Sequence, residues 1–168
     1  GIYSKIDVIM EIRNELTLNT MSQHHSGITI KSDRELASMR KAGHVVATTI
    51  EALLKFLQAG IKTKDLDTVA ARQIRLMGAS PAFKGYRGFP ATICVSVNHE
   101  IVHGIPGERV LRDGDIVSLD VGAIVDGLFG DAAVTAFVGK VSTEVERLIE
   151  VTRLSLELGI KQAQVGNR

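Results

Sequence analysis

Asp120 and Asp131 carry the strongest chemical signal in the chain. Asp120 interrupts an otherwise apolar run, Ile116-Val117-Ser118-Leu119-Asp120-Val121-Gly122-Ala123-Ile124-Val125. A lone carboxylate buried in such a run is costly, so it needs a partner or a cation. Asp126-Gly127 is a two-residue hairpin signal. Folding the chain about it pairs Val125 with Leu128, Gly122 with Asp131 and Asp120 with Ala133. Gly122 lies two residues from Asp120, so both share one face, and Asp131 joins that face opposite Gly122. The two carboxylates become diagonal neighbours with backbones about 7–8 Å apart. Gly122 and Ala133, directly across from them, leave space. Two carboxylates facing one cavity share a proton or share cations. Divalent ions roughly 3.5–4 Å apart, with oxygen ligands at about 2.0–2.2 Å, fit such a gap. Ordinary hairpin aspartates near solvent are the other reading of the same pair.

A second motif looks stronger than it is. His99-Glu100-Ile101-Val102-His103 matches H-E-x-x-H, a zinc signature that works only on a helix. Here it follows a β-rich run and meets Gly104-Ile105-Pro106 at once, and the residue before a proline is pushed towards extended geometry. In a strand the two histidines share a face but sit about 13 Å apart. The zinc-helix reading is therefore rejected, and His99 is not expected to bind a metal. His103 keeps its interest, because His-Gly-Ile-Pro is read as ending a strand in a tight turn that can aim a side chain into a cleft. A surface or capping histidine is the plain alternative.

These residues need a frame. Ser32-Asp33-Arg34-Glu35 reads as a capping box. Leu36, Met39, Gly43, Val46, Ile50, Leu53, Leu54 and Leu57 follow at helical spacing, and Gly60 ends the helix. Thr63 is expected to cap a second helix carrying Leu66, Val69, Ala70, Ile74 and Met77, closed by Gly78. Residues 80–90 read as loop. Strands are expected at Thr92 to Val97, at Ile116 to Val125 and from Leu128 to Val138, with a turn at Asp113-Gly114. Thr143-x-x-Glu146 reads as the capping box of a third helix reaching about Ala163.

Bulk properties exclude several classes. With 168 residues, 45% hydrophobic and 23% charged, the chain is globular and long enough for a sizeable core. Its formal net charge is +1 and aromatics are 4%, so sequence-specific nucleic-acid binding is not expected. Cys94 is the single cysteine, which excludes an intrachain disulfide. No apolar run approaches the roughly 18 residues of a membrane span. Nor is there a basic segment leading into an apolar core at the start, so a cytoplasmic location without membrane attachment is expected.

Taken jointly, the motifs resemble type I methionine aminopeptidases. The resemblance rests on Cys94-x-Ser96-x-Asn98-x-x-x-x-His103-Gly104-Ile105-Pro106, on Asp120-Val121-Gly122, on Gly130-Asp131-Ala132-Ala133 and on Gly85-Tyr86-Arg87-Gly88-Phe89-Pro90. It covers about residues 28–168 and implies an α+β fold, the N-terminal half of the pita-bread architecture, with an antiparallel sheet and helices packed on one face. By that similarity Asp120 and Asp131 are metal ligands, and His103 is the catalytic residue that contacts substrate. Tyr86, Phe89 and Cys94 line the methionine pocket, with Phe83 at its edge. Two divalent ions (cobalt, manganese, iron or zinc) are the implied cofactors. The implied reaction is metal-assisted hydrolysis that releases the N-terminal methionine of peptides and nascent proteins, with the ribosome as a possible partner. Phe129 stands where the family often has histidine, outside the ligand set.

The family's remaining ligands, one histidine and two glutamates, belong to its second half. The chain is therefore expected to be a partial catalytic domain over residues 30–168, inactive alone, behind an N-terminal extension over residues 1–29. Met21 is a candidate start, and His24-His25 reads as polar linker. A faint echo of Leu57-Gln58-Ala59-Gly60 in Gln162-Ala163-Gln164-Val165-Gly166 suggests a structural unit beginning again. The competing readings are a prolidase-like peptidase of the same fold and a catalytically inactive binding module.

Overall fold

A computed structural model of the chain describes residues 29–168. The candidate start at Met21, the His24-His25 pair and nearly all of the expected extension lie outside these residues. Among the described residues, no helix is long and apolar enough to cross a membrane.

Helix α1 spans Asp33–Phe56, and Ser32 caps it as the sequence predicts. The Ser32 hydroxyl accepts the Glu35 amide, and the Glu35 carboxylate accepts the Ser32 amide at 2.7 Å. Helix α2 spans Thr63–Leu76, and here the expectation fails in one respect. Thr63 is the first helical residue rather than the cap, and its hydroxyl accepts the Gly107 amide at 2.9 Å instead. Asp65 takes the capping role by accepting the Lys62 amide at 2.8 Å. Helix α3, Thr143–Gln162, starts one residue earlier than expected, capped by Ser142.

The sheet is antiparallel and has four strands: β1 (Ser80–Pro81), β2 (Ile93–Val97), β3 (Ile116–Val125) and β4 (Leu128–Phe137). Strand β3 is central. It pairs with β4 along one edge, and with β2 and then β1 along the other. The two-residue β1 falls where the sequence reads as loop. Its pairing, Ser80 with Ile124 and Pro81 with Ala123, is a long-range contact with no local periodicity to announce it.

Alternation divides the sheet into two chemically distinct faces. Ile93, Val95, Val97, Val117, Leu119, Val121 and Ala123 form the core with Val46 and Leu53 of α1 and Leu66 and Ile74 of α2. Truncating one fully buried member, such as Leu119→Ala, costs about 2–5 kcal/mol. Gly130 lets α1 approach this face, because a Cβ there would lie 2.6–2.8 Å from the Ala42 and Gly43 backbone. Ser38 of α1 donates to the Asp126 carboxylate at 2.8 Å, which ties the helix to the hairpin turn. The opposite face carries Cys94, Asp120 and Asp131.

Candidate metal centre

The β3–β4 hairpin adopts the register that Asp126-Gly127 predicts. Both turn residues have positive φ, 51° and 78°, as a type I′ turn requires. Val125 pairs with Leu128, Gly122 with Asp131 and Asp120 with Ala133. On the other side of β3, Cys94 pairs with Asp120 and Ser96 with Ser118. Cys94, Asp120 and Ala133 thus form one row across three strands. Ser96, Ser118 and Thr135 form the next, with the Ser118 and Thr135 hydroxyls 2.8 Å apart. Every one of these side chains belongs to the face away from the core.

The two carboxylates differ in environment. Asp131 is exposed, whereas Asp120 is half-buried. Its Oδ1 is sealed from solvent and has no hydrogen-bond partner among the described residues. Burial first, and then the Asp131 charge, push the Asp120 carboxyl above its ordinary range, while His103 pulls it the other way. A sealed carboxylate oxygen beside a second carboxylate is the arrangement that a divalent cation resolves. The residues present therefore fit a metal. Among the described residues, no group of three or more histidine, cysteine, aspartate or glutamate side chains converges.

Phe83 and Cys94 share the face of the carboxylates. The half-buried Phe83 ring lies over Gly122, on the carboxylate face. Cys94 is 4% exposed. Burial first, and the two aspartates next, push its thiol up to about 11, so it is a neutral, small apolar group at pH 7. Tyr86 and Phe89 bracket a 3-10 turn over Tyr86–Gly88. The Phe89 amide donates to the Tyr86 carbonyl at 2.9 Å, and the Phe89 carbonyl accepts the Gly85 amide at 2.8 Å. Phe89 is half-buried, whereas Tyr86 is 63% exposed and carries the Arg87 guanidinium 5.4 Å from its ring centre. Sequence reasoning gave no role to Asp67. Its Oδ1 accepts the Thr92 and Ile93 amides at 2.7 and 3.0 Å, pinning the start of β2 and hence Cys94. Asp67 lies within α2, 25 residues before Thr92, a distance at which no local signal operates.

His99 and His103 do not share a helix. Strand β2 ends at Val97, residues 98–99 form a turn, and irregular chain follows through Gly104. His103 lies within this irregular segment, six residues past the strand, rather than at its end. It is exposed, and its charge acts on Asp120. Its φ is 59°, a left-handed conformation costing about 1–3 kcal/mol for a residue with a Cβ. The neighbours hold it there. Gly104 donates to the Ser96 hydroxyl at 3.0 Å and accepts the Val95 amide at 2.9 Å.

The chain is similar in sequence and fold to known proteins. The chain is 53% identical over 141 residues to methionine aminopeptidase 1 of Bacillus subtilis, covering 84% of this chain and 57% of that protein. It superposes on the crystal structure of methionine aminopeptidase from Thermotoga maritima with a TM-score of 0.80 at 43% identity, covering 82% of this chain and 55% of that one. The prolidase from Pyrococcus horikoshii superposes with a TM-score of 0.71 at 20% identity, over 80% of this chain and 38% of that one, which shows the shared pita-bread fold alone. The chain spans about half the length of the relatives it matches. The profile of metallopeptidase family M24 matches residues 37–168, and the chain belongs to that family.

Proposed function

We propose that this chain supplies half of a two-metal aminopeptidase site that removes the N-terminal methionine from peptides and nascent proteins in the cytoplasm. The observation that carries the reading is the single face on which Asp120 and Asp131 meet, beside His103, Phe83 and Cys94. The neutral Cys94 thiol and the aromatic rings suit an unbranched thioether side chain better than a charged or branched one. The 53% identity to a methionine aminopeptidase supports that reading over a prolidase-like one, since the likeness to the prolidase is one of fold.

Each residue has a distinct task. Asp120 and Asp131 would hold divalent cations such as cobalt, manganese, iron or zinc. Bound cations supply Lewis-acid activation of water and of the scissile carbonyl. Asp120, held in β3, fixes its carboxylate against a rigid strand, and Asp131 reaches in from β4. Phe83, Phe89 and Cys94 exclude water and seat the methionine side chain. His103 would hydrogen-bond the substrate through its imidazole and steady charge on the reacting carbonyl. By the family resemblance the full set has five protein ligands, so residues 29–168 provide two of them. Loosely held cations do not fix the geometry that such a rate depends on.

The test is a chimera. Residues 1–168 are fused to the second half of the B. subtilis relative and assayed with manganese or cobalt for methionine release from a Met-Gly peptide. Turnover is expected in the chimera and is abolished by Asp120→Asn or Asp131→Asn. His103→Ala should lower turnover far more than metal content. A folded, metal-loaded chimera without turnover, beside an active intact relative, overturns the reading.

A further inference from the structure

We propose that Ser96 is a positioning residue for His103. For its functional meaning the proposal rests on His103 facing substrate; the geometry stands apart from that. Ser96 is 4% exposed on β2, and its hydroxyl accepts the Gly104 amide at 3.0 Å. The preceding strand residue, Val95, donates its amide to the Gly104 carbonyl at 2.9 Å. Both polar groups of Gly104 are therefore bound to two consecutive residues of one strand.

Steric fit reinforces the hydrogen bonds. A Cβ on Gly104 would lie 2.2 Å from the Val95 carbonyl oxygen and 2.9 Å from the Ser96 Cα. The backbone immediately after His103 thus lies flat against β2. With its own φ at 59°, the direction in which the His103 Cα–Cβ bond leaves the backbone is set by this contact. Other bonds pin the loop further off. Glu100 accepts the Val97 amide at 2.8 Å, Asn98 donates to Asp115 at 2.8 Å, and Thr63 accepts the Gly107 amide at 2.9 Å. Ser96 is the side chain bonded nearest to the histidine.

The register gives this bond its consequence. Ser96 is two residues from Cys94 on the same face, and Cys94 is the cross-strand partner of Asp120. The Ser96 hydroxyl therefore ties the backbone next to His103 to the strand pair that holds the carboxylate. Alanine at this position leaves the half-buried Gly104 amide without its acceptor, whereas threonine keeps the oxygen and suits a strand.

The experiment follows the histidine ring signals of residues 1–168 by NMR, without metal or peptide. It is run near pH 9, where imidazoles are neutral, and His103 is assigned by its loss in His103→Gln. In Ser96→Ala the His103 signals should shift and broaden while those of His44 and His99 stay in place. Ser96→Thr should keep the wild-type pattern, and Gly104→Ala should reproduce the alanine effect. Unmoved His103 signals in a folded Ser96→Ala chain, or a threonine variant as perturbed as the alanine one, overturn the proposal. Should Ser96→Ala fail to fold, hydrogen exchange in the wild type decides. Gly104 amide protection matching that of β2 supports the bond, and loop-like exchange refutes it. No outcome depends on hydrolysis, so the proposal and the aminopeptidase reading fail separately.

Discussion

Phe83 and Gly122 compete for one volume: a Cβ on Gly122 would lie 2.5 Å from Phe83 Cε1. The absence of a side chain on Gly122 is what lets the ring lie against β3, on the face that carries Asp120 and Asp131. Gly122→Ala should expel the ring at a cost of about 1–3 kcal/mol, the usual range for overpacking. Urea denaturation measures it. Adding Phe83→Ala should recover part of the loss, and strictly additive effects would show that the two residues do not touch.

Asp120 should make the metal-free chain less stable near neutral pH. Its folded-state pKa is raised above 3.8, chiefly by burial. The stability linked to its protonated form is fully present below the unfolded value and is lost as pH rises through the raised folded value. Asp120→Asn, neutral at every pH, should melt higher than wild type at pH 7 with a chelator present. An equal or lower melting temperature would show that Asp120 is relieved in some other way.

Divalent cations should reverse that order. Manganese or zinc should raise the melting temperature of the wild-type chain and leave Asp120→Asn and Asp131→Asn nearly unchanged. Calorimetric titration should show affinity falling by more than about tenfold in either variant, since loss of an outer-shell partner alone costs that much. Cation binding that survives both substitutions would place the metal elsewhere.

Glu108 should titrate near pH 2. Hydrogen bonds from Lys62 and then Lys64 lower its carboxyl from 4.5 to about 2. The stability it contributes is therefore present above about 4.5 and is lost as pH falls towards 2. The Glu108 carboxyl-carbon shift, followed by NMR from pH 7 to pH 1, checks this. A midpoint near the ordinary value would mean that these exposed ion pairs dissolve in water, as surface pairs often do. High salt should move the midpoint upward.

The sequence by itself determined whatever depends on neighbours a few residues apart. Asp126-Gly127 dictates the hairpin and, through strict alternation, the shared face of Asp120 and Asp131. Ser32 and Glu35 announce the start of α1, and Gly104-Ile105-Pro106 rules out a helix under His99 and His103. Tertiary structure decided what depends on surfaces meeting. The pairing of Ser80–Pro81 with β3, the turning of the Thr63 hydroxyl to Gly107 and the pinning of β2 by Asp67 each join residues 25 or more apart. Phe83 over Gly122 and Gly104 flat on Val95 depend on missing Cβ atoms, whose use is set only by the group that arrives from elsewhere in the chain. Local hydrogen bonds and alternation are written into adjacent residues; steric complementarity exists only after the chain has closed on itself.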